Sequence, residues 1–270
     1  LPQPDNLQLA QQMHRDVIDG GPEPAMIAVM DHKLKIGLSH EDLQRLATAS
    51  EVRKLSTRDI PIALTTGEIG ATTVASTIYA ASLVGIPIFA TGGIGGVHRG
   101  SAESFDESAD LTAIANYPVA VVTAGAKSIL DLPKTLERLE TLGVPVIGYG
   151  TDTFPAFYLE SSGLPVDQRF DDIKDVAAML RTKWELGMYG GAVIANPIPA
   201  DAALDQASHD AALSKALETA KHEGISGKDT TPALLAALSE ETGNASLDAN
   251  IALIRNNARL AAQLAMALTI

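Results

Sequence analysis

The sequence predicts an α/β fold: a three-layer α/β/α domain with a largely parallel central sheet and a helical C-terminal region. Short β-rich runs alternate with helical stretches through most of the chain, and after Pro199 the pattern becomes helical. Strands separated by single helices imply right-handed crossovers and therefore parallel pairing. Continuous apolar runs such as 119–122 are typical of strands buried on both faces. We therefore expect one domain over residues 1–270.

The composition restricts the class of protein. With 46% hydrophobic and 20% charged residues in 270, the chain can build a substantial core. A net charge of −13 argues against a nucleic acid polymer as partner, because phosphate backbones need a basic face. The absence of cysteine excludes disulfides and a thiolate nucleophile. No signal peptide or apolar span of bilayer length is evident, so we expect no membrane partner and a cytoplasmic or other intracellular soluble location.

The pattern assigns the elements in order. In the first third, Ser39 and Asp42 form a capping signature that opens a short helix. The remaining predicted elements of this part are strands at 25–30, 34–37 and 60–64 and a helix over 70–83. Further strands are predicted at 86–90, 119–123, 144–149 and 192–195. Further helices are predicted at 133–142, 172–186, 200–222, 232–242 and 246–268.

A glycine-rich loop follows the strand at 86–90. Four of its five positions from 92 to 96 are glycine, and His98 and Arg99 come directly after. Backbone N–H groups in such a turn can surround a phosphate, and the basic side chains add positive charge. The spacing fits neither a dinucleotide fingerprint nor a P-loop. A plain turn between a strand and a helix is the competing interpretation.

Three acids lie shortly after this loop. Asp106, Glu107 and Asp110 offer the oxygen ligands that a divalent cation prefers. The alternative is that they cap a helix start. Together with the glycine loop, they indicate a phosphorylated small molecule handled with a metal ion.

Lys127 lies just beyond the strand at 119–123, at the edge where open α/β sheets bind ligands. Burial there would lower its pKa and make it an amine nucleophile towards carbonyls. The alternative is a lysine that reaches solvent from the strand end. Lys54, Thr73 and Asn250 are further polar residues that are either solvated or belong to the same pocket.

The chain resembles a known family, the pseudouridine-5'-phosphate glycosidases, also called indigoidine synthase A-like proteins. The resemblance covers almost the whole chain in order. It rests on TTGEIGATTVASTI (65–78), GIPIFATGGIGGVHRG (85–100), FDESAD (105–110), AGAKSILDL (124–132), LETLGVPVIGYGTDTFPAFY (139–158), GAVIANPIP (191–199) and SLDANIALIRNNARLA (246–261). It implies a three-layer domain, a homotrimer, one Mn²⁺ per subunit, and reversible cleavage of pseudouridine 5'-phosphate to uracil and ribose 5-phosphate.

The resemblance also implies the site residues. Lys127 would be the Schiff-base nucleophile and Asp106 the direct metal ligand. The implied substrate-binding residues are Lys54, Thr73, Val74, His98, Ser108, Ala109, Asp110 and Asn250, with His98 at the phosphate and Asn250 at the uracil. Thr123 and Glu107 depart from the family's usual cysteine and isoleucine.

An amine suits this reaction because the leaving group of a C-glycoside is a carbon without a lone pair, so the C–C bond is broken by forming an iminium on the opened sugar. The leaving carbon then needs a general acid. The family's glutamate for this role belongs to a stretch that would precede Leu1, so we expect the chain to lack its N-terminal segment; Glu68 and Glu107 are interpreted as solvated loop residues.

Two other functions compete with this one. A sugar or nucleoside kinase-like phosphotransferase fits the glycine loop but leaves Lys127 unexplained. A catalytically inactive phosphosugar-binding homologue would bind metal and ribose 5-phosphate without turnover.

Overall fold

A computed structural model describes residues 4–223, 230–243 and 245–269 of the chain. Their strands form two sheets rather than the single sheet that the sequence predicts. The elements of the first third are α1 (Asp5–Asp19), β1 (Ile27–Met30), β2 (Lys33–Ile36), α2 (His40–Thr48), β3 (Arg53–Leu55), α3 (Ile60–Thr66), β4 (Gly70–Thr72) and α4 (Val74–Leu83). The middle elements are β5 (Ile88–Ala90), α5 (Ser101–Ser104), α6 (Ala109–Asn116), β6 (Ala120–Thr123), α7 (Leu132–Thr141), β7 (Val146–Tyr149), β8 (Gln168–Phe170), α8 (Ile173–Glu185) and β9 (Ala192–Ala195). The last helices are α9 (Gln206–His222), α10 (Thr230–Thr242) and α11 (Ala245–Leu268).

The larger sheet has five parallel strands in the order β5-β6-β9-β7-β8. Its central strands β6 and β9 are buried along their whole length. Val121 and Val193 pack into one apolar cluster and Val122 and Ile194 into another, so helices cover both faces. This confirms the predicted α/β class with a parallel sheet between helical layers.

The smaller sheet has the order β2-β1-β4-β3 and mixed pairing. The strands β1 and β2 form the predicted hairpin, and β4 pairs antiparallel with β1, for instance Ala28 with Ala71. Only β3 and β4 run parallel. This sheet matters for the site because it carries Lys54 on β3 and leads directly into α4.

Two predicted elements of the first third are wrong. The predicted strand at 60–64 is the helix α3, since Pro61 lies in its first turn and Gly67 ends it in a left-handed conformation with φ 77°. The predicted helix over 70–83 is β4 followed by α4, because Thr73 is extended and caps α4. The elements α1, β3, α5, α6 and β8 were not predicted.

The C-terminal region is helical, as predicted. A short 3₁₀ turn at Ala200–Ala202 precedes α9, so the helix starts six residues later than predicted. Among the described residues, no helix is both long enough and apolar enough to cross a membrane.

Candidate active site

The candidate active site lies where β5 and β6 end. After β6, Gly125 adopts φ 83°, and a side chain there would meet the carbonyl of Pro155. This close turn leads into Lys127, whose amide donates to the carbonyl of Ile94 in the glycine loop across 3.2 Å. The predicted position of Lys127 at the carboxyl edge of the sheet is therefore confirmed.

Lys127 is a largely buried amine among charged neighbours. Burial lowers its pKa from the ordinary value of 10.5, the negative charge of Asp110 opposes this, and the positive charge of Lys54 adds to it. Because desolvation is the largest cause, a larger fraction of this amine is neutral at a given pH than for an exposed lysine. Asp110, Lys54 and Lys127 are thus close enough to interact, although they come from three separate parts of the chain.

Asp110 links two parts of the site. One carboxylate oxygen accepts from the amide of Ala75 across 2.8 Å, and the other accepts from the amide of Gly95, also across 2.8 Å. Ala75 lies in the first turn of α4, so a negative charge is placed at a helix N-terminus, where it is stabilised. The buried Asp110 therefore holds α4 against the glycine loop.

The glycine loop is a close-packed turn rather than the open anion cradle that the sequence suggests. The amides of Ile94, Gly95, Val97 and His98 already donate to protein acceptors. A Cβ at Gly93 would lie 2.6 Å from the Phe157 ring, and one at Gly92 would lie 2.9 Å from Ile254. Here glycine is needed for close approach of neighbouring elements.

His98 and Asp106 form a second pair of titratable side chains, next to Lys127. The amide of His98 donates to the Asp106 carbonyl across 3.0 Å, and Nδ1 lies 3.8 Å from an Asp106 carboxylate oxygen. Burial lowers the pKa of His98; Asp106 opposes this, while Lys127 and Lys54 reinforce it. Five predicted site residues, Lys54, His98, Asp106, Asp110 and Lys127, therefore form one electrostatically connected cluster.

Four further predicted residues lie at two helix starts next to this cluster. Thr73 caps α4 and Val74 is its first residue. The next residue is Ala75, whose amide donates a hydrogen bond to Asp110. Ser108 caps α6, and its amide donates to the Gly96 carbonyl. Ala109 is the first residue of α6.

Asn250 lies on α11, one turn before Leu253 and Ile254, which reach Gly92. Its side-chain oxygen is buried and has no hydrogen-bond partner among the described residues. A buried acceptor without a partner is destabilising, so a ligand group is a natural partner for it. Its direct contact with the charged cluster stays a prediction.

The acidic side chains of the site fit a metal ion only if water molecules supply most of its ligands. In the described ranges, no group of three His, Cys, Asp or Glu side chains is placed to hold a metal. The Asp106 side chain is 36% exposed, and Asp110 is committed to two amides. A hard cation that keeps most of its waters and takes Asp106 as its direct ligand is compatible with this arrangement.

Neither glutamate near the motifs is a free acid. Glu68 forms a 2.9 Å ion pair with Arg53, and that guanidinium lowers the pKa of the carboxyl. Glu107 pairs with Arg138 at 2.9 Å. Both side chains are exposed, which agrees with their interpretation as solvated loop residues.

Phe157, which no sequence pattern indicated, packs against the glycine loop of the site. It is buried with φ 64°, a rare conformation for a bulky residue, and its amide donates to the Ala124 carbonyl across 2.9 Å. Its ring packs on Gly93. The preceding Pro155 signals a turn, but no local pattern predicts this contact.

The family model described as indigoidine synthase A like protein matches residues 1–267. The chain is 51% identical over 268 residues to a pseudouridine-5'-phosphate glycosidase of Caldanaerobacter subterraneus, covering 99% of this chain and 87% of the relative. It is 52% identical over 266 residues to the enzyme of the same name from Hahella chejuensis, covering 98% and 88%.

Two solved structures are also similar. The prealnumycin C-glycosynthase AlnA, in complex with ribulose 5-phosphate, has a TM-score of 0.93 at 38% identity and covers 99% of this chain and 88% of its own. An indigoidine synthase A-like protein from Thermotoga maritima has a TM-score of 0.90 at 34% identity, covering 98% and 87%.

Proposed function

The chain belongs to the indigoidine synthase A-like family, and we propose that it reversibly cleaves the C-glycosidic bond of pseudouridine 5'-phosphate to give uracil and ribose 5-phosphate. The observation that carries this proposal is the desolvated amine of Lys127 beside the carboxylate of Asp110. Relatives at about half identity are named for this activity.

In the proposed mechanism, Lys127 is the nucleophile. Its neutral amine attacks C1' and displaces the ring oxygen, which leaves as a hydroxyl after taking up a proton, so the sugar opens and a C1'–N bond forms. The uracil carbon takes up a proton, and the C–C bond then breaks with its electron pair going to the uracil while the nitrogen lone pair forms a protonated imine at C1'. Water hydrolyses this imine, which releases ribose 5-phosphate and returns the free lysine. A side chain without an amine cannot supply that lone pair, and burial keeps the amine reactive.

The charges around Lys127 are suited to a phosphorylated sugar. The positive charge of Lys54 lowers the pKa of both Lys127 and His98, and that of Lys127 lowers the pKa of His98, which means that positive potential is concentrated there. A phosphate dianion would relieve this repulsion. The similar C-glycosynthase is described with bound ribulose 5-phosphate, a ligand of the same class. Thr73, Val74, Ser108 and Ala109 are proposed to line the sugar, at helix starts where negative charge is favoured.

Asn250 is proposed to bind the uracil by hydrogen bonds. A side-chain amide carries both a donor and an acceptor, and the N–H and C=O groups along the edge of uracil match them. The buried unpartnered oxygen of Asn250 supports this role.

A manganese ion is proposed as the cofactor, with Asp106 as its direct protein ligand and Asp110 reached through water. When bound, such an ion would neutralise negative charge of the substrate. The lowered pKa of His98 keeps this imidazole largely neutral, so that it does not compete with a cation for the Asp106 carboxylate.

We also propose a homotrimer, which the family resemblance implies and a mass measurement in solution tests.

The proposal is tested by trapping the imine. The full chain is mixed with ribose 5-phosphate, reduced with borohydride, and mapped by mass spectrometry. We expect one reduced adduct, on the peptide containing Lys127, and loss of the adduct and of turnover in Lys127→Ala. Lys33→Ala is the matched control, since Lys33 is exposed and lies on β2.

The competing functions give different results. A kinase forms no adduct and transfers phosphate from a nucleotide. An inactive homologue binds Mn²⁺ and ribose 5-phosphate but produces no pseudouridine 5'-phosphate from uracil and ribose 5-phosphate. An adduct on Lys54 instead of Lys127 would reject the assigned nucleophile.

A further inference from the structure

A chain of hydrogen-bonded polar side chains, buried at Ser128 and His209 and exposed at Asp210, begins at the residue after Lys127. The hydroxyl of Ser128 lies 2.9 Å from Nε2 of His209 on α9, and the two residues are only 4% and 2% exposed. Nδ1 of His209 lies 3.2 Å from a carboxylate oxygen of Asp210, whose other oxygen accepts from Gln206 across 2.9 Å. With Nδ1 donating to Asp210, Nε2 is left as the acceptor for the Ser128 hydroxyl.

The turn that follows Lys127 is also held by a second side chain. Nε of Arg99 donates to the carbonyl of Ile129 across 3.2 Å. Thus two side chains, one from the glycine-loop region and one from α9, fix the two residues that follow Lys127.

These bonds matter because the turn borders a cavity on this side, although Ile129 and Leu130 pack into the core. A cavity of about 540 Å³ lies here, lined among others by Arg99, Ser128, His209 and Asp210. If the Ser128–His209 bond were lost, the turn would have room to move, and Lys127 would move with it. A buried imidazole and hydroxyl are also costly unless they satisfy each other.

We propose that His209 is a positioning residue for Lys127 and acts through the hydroxyl of Ser128; this rests on the imine chemistry proposed above. Catalytic side chains are effective when neighbouring hydrogen bonds lock their geometry. A displacement of about 1 Å at a nucleophile can lower the rate by about 100-fold. His209 would therefore affect the covalent step without contacting the substrate.

The test is a double-mutant cycle on the full chain. Turnover and the rate of borohydride trapping with ribose 5-phosphate are measured for wild type, His209→Leu, Ser128→Ala and the double variant. We expect each single variant to lose about 10- to 100-fold in kcat and trapping rate, with KM changed by less than about threefold. The double variant should lose no more than either single variant, because both remove the same bond.

Two further variants separate positioning from folding. His209→Gln retains a hydrogen-bonding group towards Ser128 and should recover much of the trapping rate, whereas His222→Leu, an equivalent change at the exposed end of α9, should leave the rate unchanged. If His209→Leu does not fold, Ser128→Ala and His209→Gln carry the test.

Losses that add in the double variant, or an unchanged trapping rate in Ser128→Ala and His209→Leu, would overturn this inference while leaving the proposed function intact. Absence of a Lys127 adduct in the wild-type protein would instead reject the proposed function.

Discussion

The carboxylate of Asp110 accepts a 2.8 Å hydrogen bond from the amide of Gly95. Through its other oxygen it also holds the first turn of α4 at Ala75. The same carboxylate opposes the lowering of the pKa of Lys127. One buried side chain thus joins the glycine loop, a helix start and Lys127.

Asp110→Asn should therefore change both stability and the pH dependence of imine formation. An amide cannot accept from both N–H groups, so one buried donor is left unpaired at a cost of about 1–3 kcal/mol. Loss of the negative charge should lower the pKa of Lys127 further and move the midpoint of borohydride trapping to lower pH. A midpoint that stays in place or moves to higher pH would contradict the assigned interaction.

Lys127→Met should make the protein more stable at neutral pH, although inactive. Because the pKa of Lys127 is lowered in the folded state, the unfolded chain binds more protons between that pKa and 10.5. Burial of the charged amine therefore destabilises the wild-type protein at low and neutral pH, and this effect fades as the pH rises towards 10.5. Melting temperatures at pH 7 and pH 10 test this: the gain should be larger at pH 7, and Lys33→Met should show no such difference.

Asp106→Asn should weaken Mn²⁺ binding by at least about tenfold, because it removes the charged oxygen that we propose as the direct ligand of a water-rich site. The free Mn²⁺ signal in electron paramagnetic resonance measures this without reference to activity. Asp19→Asn, which removes an exposed acid at the end of α1, should bind Mn²⁺ like the wild type. Equal binding by Asp106→Asn would place the ion elsewhere.

Glu68→Gln and Glu107→Gln should each keep turnover within about threefold of the wild type. Both carboxylates are exposed and paired with arginines, and exposed ion pairs contribute only about 0–1 kcal/mol. Loss of a general acid would instead cost about 10²–10⁴ in rate. A loss of that size in either variant would identify the proton donor for uracil.

Gly95→Ala should destabilise the protein by about 1–3 kcal/mol, the usual effect of overpacking. A Cβ there would lie 2.6 Å from the Cβ of Ser108 and 2.8 Å from an oxygen of Asp110. Chemical denaturation measures the loss, with the exposed Ser50→Ala as control. An unchanged midpoint would show that α6 can move away from the loop without cost.

Local sequence patterns were sufficient to predict the α/β class, the parallel strands of the larger sheet and the position of Lys127. These features follow from local patterns: apolar runs specify buried strands, and a lysine after such a run lies at the carboxyl edge. The resemblance to a family also supplied the candidate site residues. Local pattern failed at 60–64, where a capping turn and Pro61 override an apolar run that also fits a strand.

Which of these residues contact one another depends on the tertiary structure. Asp110 bonds to amides 35 and 15 residues away, and His209 reaches Ser128 across 81 residues. Such contacts depend on how helices pack over the ends of the strands, which no local pattern encodes. The glycines at 92–96 show the same limit: their sequence resembles an anion cradle, yet packing against Phe157, Ser108 and Thr135 explains them. Chain periodicity predicts most of the elements, whereas the burial and charge that lower the pKa of Lys127 arise only when distant elements meet.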